Sequence, residues 1–127
     1  MRPRFRHHYS RDQARLLLPQ ISKWLNQLRE TSQSLQRMDL RLGQLLASGA
    51  DAGGESTNTW VRGTCELQSL YREFSLREIQ IKDLERGLVD FPAMIGGREA
   101  LLCWEQGEND IEYWHDLDAG FPGRQKL

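Results

Sequence analysis

The chain has 127 residues, with 17 Lys or Arg against 18 Asp or Glu and a formal net charge of −1. That length suits one domain with a real core and is too short for two independent ones, and the near-zero charge excludes a general pull toward nucleic acid or acidic lipid. No apolar run approaches the ~20 residues of a membrane span, no apolar secretory segment opens the chain, and two cysteines, Cys65 and Cys103, make no disulfide framework. The expectation is a cytoplasmic protein with reduced thiols.

Residues 1–9 form a basic tail in which Arg2, Arg4, Arg6, His7 and His8 cluster. A frayed, solvated terminus is the expected role, and a nucleic-acid or phosphate contact the lesser one. Ser10 stands three residues ahead of Gln13, the capping-box spacing, so a helix should begin at Arg11. Apolar residues then recur at Ala14, Ile21, Leu28, Leu35 and Leu42, with Leu17, Trp24, Met38 and Leu45 three positions on, a seven-residue repeat that predicts one helix to about residue 46. Thr31 and Ser32 weaken the stripe in its middle. Pro19 lacks the amide that would bond to Arg15, which predicts a kink.

Residues 47–58 are small, polar and glycine-rich, as a flexible connection would be. A second helix, over about residues 58–77, carries Trp60, Thr64, Leu67, Leu70, Tyr71 and Phe74 on one stripe. Residues 10–77 thus predict an antiparallel helical hairpin. At 1.5 Å per residue its arms differ in length, roughly 54 Å against roughly 31 Å, so the front of the first helix, residues 14–28, needs another cover.

From Ile79 the apolar period changes from helical to two, and residues 78–127 read as a β cap. Strands are expected over residues 79–82, 88–92, 99–104 and 111–115, with a turn from Asp83 to Gly87, a hairpin at Gly96 and Gly97, and a glycine-rich loop after His115. The fold class is therefore α+β: a long antiparallel helical hairpin followed by a small, mostly antiparallel β-sheet packed on the first helix, in a single domain over residues 1–127.

Chemistry concentrates in that last third. His115, Glu108 and Asp90 are the candidate catalytic residues, a histidine base with carboxylates to orient it. His115, Glu108 and Cys103 supply mixed N, O and S donors for a divalent transition metal, although no Cys-x-x-Cys or paired-histidine spacing marks them. Arg124 is a candidate anion clamp that would serve equally to pin the C-terminal segment to Asp90 or Glu108, and Lys82, Trp104 and Trp114 could line a ligand groove. Each has a structural alternative: a hydrogen-bonded histidine, a salt bridge from Asp90 to Lys82 or Arg124, a core cysteine, core tryptophans, and Asp83 capping its own turn.

The series Lys82, Asp83 and Leu84, then Gly87, Leu88, Val89, Asp90, Phe91 and Pro92, then Leu102, Cys103 and Trp104, Gly107 and Glu108, Trp114 and His115, and Gly120, Phe121, Gly123 and Arg124 resembles the bacterial domain of unknown function 2203 family. Ala14, Leu17, Leu18 and Pro19 fit that family's helix opening. The family tends to place glycine where this chain has Glu78, which implies a looser end to the second helix here. No activity comes with the resemblance. The leading functional expectation is a non-enzymatic interaction module that forms a homodimer through its hairpin, with neither membrane nor nucleic acid as partner; the alternative is a small metal-dependent or acid/base hydrolase.

Overall fold

The computed structural model describes residues 2–49 and 54–127. Two helices, α1 (Arg11–Ala47) and α2 (Gly54–Leu76), precede five strands, β1 (Gln80–Asp83), β2 (Leu88–Ile95), β3 (Arg98–Glu105), β4 (Tyr113–Asp116) and β5 (Gln125–Lys126). The fold is α+β, with an antiparallel sheet in simple meander order.

The capping box at the start of α1 is complete: Gln13 N donates to Ser10 Oγ at 3.1 Å and Ser10 N donates to Gln13 Oε1 at 3.0 Å. Pro19 sits inside α1 without ending it. Ala14, Leu18, Ile21, Leu25 and Leu28 are buried, a spacing of four and three that follows the 3.6-residue turn. This stripe is shifted from the expected second row, since Leu18 and Leu25 are buried while Leu17 and Trp24 only pack partly against the core. The cause is that the front of α1 meets both the sheet and α2, so its apolar face is broader than a two-helix seam requires.

Helix α2 starts four residues before the expected position, and residues 50–53, the middle of the expected flexible connection, lie outside the described residues. Contacts between the helices run in opposite order: Trp24 against Phe74 with ring centroids 5.6 Å apart, Leu35 against Gly63, and Asp39 accepting from Trp60 Nε1 at 2.7 Å. The helices are therefore antiparallel where these residues meet. Helix α2 ends in a tight turn rather than a loose one. Ile79 N donates to Phe74 O and Glu78 N to Ser75 O, both at 3.1 Å, with Glu78 itself at φ 58°. This is the Schellman geometry that glycine usually serves, and Ile79 packs in the same core as Phe74.

The two long strands β2 and β3 meet at a hairpin whose Gly96 and Gly97 have φ 60° and 78°, values that a two-residue turn of the favoured hand requires. Strand β2 runs three residues beyond the expected end at Pro92. Proline is tolerated there because Pro92 O accepts from Tyr9 N at 2.7 Å, on the side away from β3. Its missing amide faces the same way, so the β2–β3 ladder loses no bond.

Both chain ends are more ordered than the sequence reading expects. Glu99 accepts from Arg4 N and Phe5 N at 2.6 and 3.0 Å, and Glu78 accepts from Arg6 N and His7 N at 2.8 and 2.9 Å. Residues 4–7 of the basic segment are thus a strap held by two carboxylates. After His115 the chain makes a short 3-10 turn, Phe121–Gly123, and then pairs with β4 as a fifth strand instead of remaining a loop.

Alternation divides the sheet into two faces. Val89, Phe91, Ala93, Leu102 and Trp104 join the buried face of α1 in one core with Leu70, Phe74, Ile79 and Ile111. Leu88, Asp90, Pro92, Leu101, Cys103 and His115 point the other way and are also buried.

Candidate functional site

On the sheet face away from α1, Asp90 of β2 stands opposite Cys103 of β3, and His115 of β4 stands opposite Leu101. Directly paired residues share a face, so strand register alone brings the three together. The ligand atoms of Asp90, Cys103 and His115 all lie within 4.8 Å of one another, and each residue is about 1% exposed.

The histidine is held at both nitrogens. Nδ1 lies 2.7 Å from Asp116 O, and because a carbonyl only accepts, Nδ1 carries its hydrogen. Nε2 lies 3.0 Å from Asp90 Oδ2. A lone pair on each atom would repel at that distance, so a proton sits between them, as an imidazolium facing a carboxylate or as a carboxyl group donating to a neutral ring. Asp90 Oδ1, also buried, has no nitrogen or oxygen donor, and the Cys103 thiol is the weak donor beside the carboxylate. Burial, and then the neighbouring Asp90 charge, push the Cys103 thiol up to about 12, so without another cation it stays protonated.

The C-terminal segment covers this face. Arg124 lies 3.9 Å over the Tyr113 ring and 4.7 Å from the Phe121 ring, and Arg86 stacks on Phe121 from 4.3 Å. Arg124 Nη2 donates to both carboxylate oxygens of Glu108 at 2.8 Å, and Glu108 Oε1 also accepts from Glu105 N at 2.7 Å. Of the two partners open to Arg124 from the sequence, Glu108 is the one it meets. Glu108 is therefore committed to the covering segment, while Asp90, Cys103 and His115 form the donor cluster. Arg124 Nε is the second buried polar side-chain atom without a partner among the described residues.

The remaining candidates lie elsewhere. Trp104 is 3% exposed in the core against α1, with Nε1 donating to Glu108 O at 3.0 Å, and Trp114 packs partly against the same core. Lys82 is exposed on β1, and Asp83 Oδ1 caps its turn by accepting from Arg86 N at 3.1 Å. A surface hollow of about 400 Å³ beside Glu108 is lined by residues of α1, by the edge of Trp104 and by the 107–109 turn, and Asp90, Cys103 and His115 are not among them. Sequence reasoning overlooked Tyr113 and Phe121 as the aromatic cover for Arg124; the signal available was Phe121 inside the glycine-rich segment just before Arg124 and Tyr113 on the strand before it.

The cluster offers one nitrogen, one sulfur and two carboxylate oxygens in a closed, dry setting, which suits a held proton or a metal ion better than a freely diffusing substrate. No described helix is long and apolar enough to cross a membrane. Searches of the curated proteins and of the solved structures return no match. A family model described as an uncharacterized conserved protein, DUF2203, matches residues 7–127, nearly the whole chain, and on that match the chain belongs to the DUF2203 family.

Proposed function

We propose that this protein is a non-enzymatic interaction module that forms a homodimer through the far half of its helical hairpin. The supporting observation is that beyond Leu28 no described residue of α1 is buried. Leu35, Met38, Leu42 and Leu45 reach only intermediate burial against α2. Two helices cannot enclose a seam between them; a second hairpin laid on the first makes a four-helix bundle and removes that surface from water. Leu46 and Val61, 65% and 46% exposed, flank the seam and would enter the same interface. The free thiols of Cys65 and Cys103 are consistent with a cytoplasmic setting.

Sedimentation equilibrium tests this directly. A dimer is expected at micromolar concentration, and Leu46→Glu with Val61→Glu should shift it to monomer while the thermal midpoint stays nearly constant. A clean monomer at high micromolar concentration would refute the proposal. The hydrolase alternative is less well supported, because His115 and Asp90 are each about 1% exposed and a substrate would have to open the fold to reach them. The strap of residues 4–7 likewise has its backbone amides engaged by Glu78 and Glu99, which favours a structural role for the basic segment over a nucleic-acid contact.

A further inference from the structure

We propose that Asp90, Cys103 and His115 form a binding site for a divalent transition metal, with zinc the ion whose chemistry the donors match. The three residues supply oxygen, sulfur and nitrogen, the set that zinc takes, and they leave a fourth position open. The imidazole is already oriented for the task. Its Nδ1–H is tied to Asp116 O, which turns Nε2 toward Asp90 and Cys103, and a ring hydrogen bond to a backbone carbonyl is the usual outer support of a metal-bound histidine.

Asp90 Oδ1 is the independent observation: it is buried with no nitrogen or oxygen donor, and the weakly donating Cys103 thiol is the group beside the carboxylate. A buried carboxylate oxygen with so weak a partner is costly, and a cation beside it removes the cost. The spacing is close to what coordination needs. Ligand atoms around a tetrahedral zinc stand roughly 3.3–3.8 Å apart, given metal–ligand bonds of about 2.0–2.3 Å. The three donor atoms here are within 4.8 Å, so a contraction of at most about 1.5 Å closes the site.

Charge balances as well. One divalent ion displaces two protons, the Cys103 thiol proton and the proton between His115 Nε2 and Asp90 Oδ2. The site passes from a thiol and an Asp90–His115 pair that shares one proton to dication, carboxylate, thiolate and neutral imidazole, and is neutral in both states, as a buried position demands. Because all three donors are buried, the metal enters as the chain folds.

The test uses the full chain carrying Cys65→Ser, which leaves Cys103 as the one thiol of the protein's two cysteines. Cys65 is exposed, so its replacement disturbs no packing. The chain is unfolded in urea with a chelator, freed of chelator, and refolded with one equivalent of cobalt(II) or zinc(II). The expected results are a thiolate-to-cobalt absorption band, one metal per chain by mass spectrometry, and a thermal midpoint raised by either ion; Cys103→Ser should abolish the band. A Cys65→Ser chain that refolds with cobalt but shows no band overturns the proposal, whatever metal it carries, because His7 and His8 can hold an ion without a thiol. A band in the wild type that survives Cys103→Ser and vanishes in Cys65→Ser overturns it too. Should Cys103→Ser fail to refold, the cobalt spectrum of the Cys65→Ser chain still decides.

Discussion

His115 and Asp90 hold each other in place at 1% exposure, and neither has a way to reach solvent. Truncating His115 to alanine leaves the Asp90 carboxylate buried and unpaired, with a destabilisation of about 3–5 kcal/mol expected. Urea unfolding of the variant measures this. The complementary outcome is expected from replacing both members with apolar residues: Asp90→Val with His115→Leu should cost clearly less than the sum of the single changes, because no orphaned charge remains. Additive costs would mean that the two side chains do not act as a pair. Arg124 differs in kind. Its Nη2, shared between both oxygens of Glu108, and its aromatic stacking make it a clasp on the tail, and its partial exposure, 13% of the side chain, moderates what the pair contributes.

At the scale of elements, the turn from α2 into β1 shows two requirements acting on one residue. Glu78 adopts φ 58°, which strains any residue with a β-carbon, yet its carboxylate anchors the amides of Arg6 and His7. Glu78→Gly relieves the strain and loses the anchor, so a net change within about 1 kcal/mol is expected. Glu78→Ala keeps the strain and loses the anchor. Its expected cost is about 1–2 kcal/mol, and a chemical denaturation series should rank it below the glycine variant.

The strap has a second anchor whose pH response has a definite sign. The amide of Arg4, then His8 and the amide of Phe5, hold the Glu99 carboxyl down from its ordinary 4.5 to about 2. A depressed carboxyl stabilises the fold fully above its unfolded value, and that stabilisation fades as pH falls from about 4.5 through 2. Protection of the Arg4 and Phe5 amides from hydrogen exchange should therefore weaken, relative to intrinsic rates, between pH 5 and pH 2. In Glu99→Gln this carboxyl-dependent change should disappear.

On the scale of the whole molecule, the far hairpin and the β cap are energetically separate. The cap and the front of α1 share one core, while α1 beyond Leu28 adds no buried residue to it. Replacing residues 33–65 with a short glycine-rich turn should remove helical circular dichroism signal and the proposed dimer interface, yet leave a monomer with a cooperative thermal transition. Loss of that transition would show that the cap depends on the far hairpin.

How much of this was legible beforehand follows from the range of the contacts. Ser10 and Gln13 announce the start of α1, the change of period at Ile79 announces the sheet, and Gly96 with Gly97 announces its central hairpin, because each device acts within a few residues. The unequal helix lengths also pointed to the front of α1 as the sheet's seat, and Ala14, Leu18, Ile21, Leu25 and Leu28 do share a core with β2 and β3. The alternation of β2 and β3 was readable too, but not the partners of its polar residues. Asp90 had Lys82, Arg124 and His115 as candidate partners from the sequence, and Arg124 had Asp90 and Glu108; Asp90 meets His115, and Arg124 meets Glu108. The strap was invisible for the same reason, since Arg4 and Glu99 are 95 positions apart. Sequence by itself determined the elements and the faces they present, because caps, turns and apolar periods are local. Tertiary structure alone decided which charged groups meet, because burial removes water as the competing partner and leaves each group only the neighbours that the sheet register supplies.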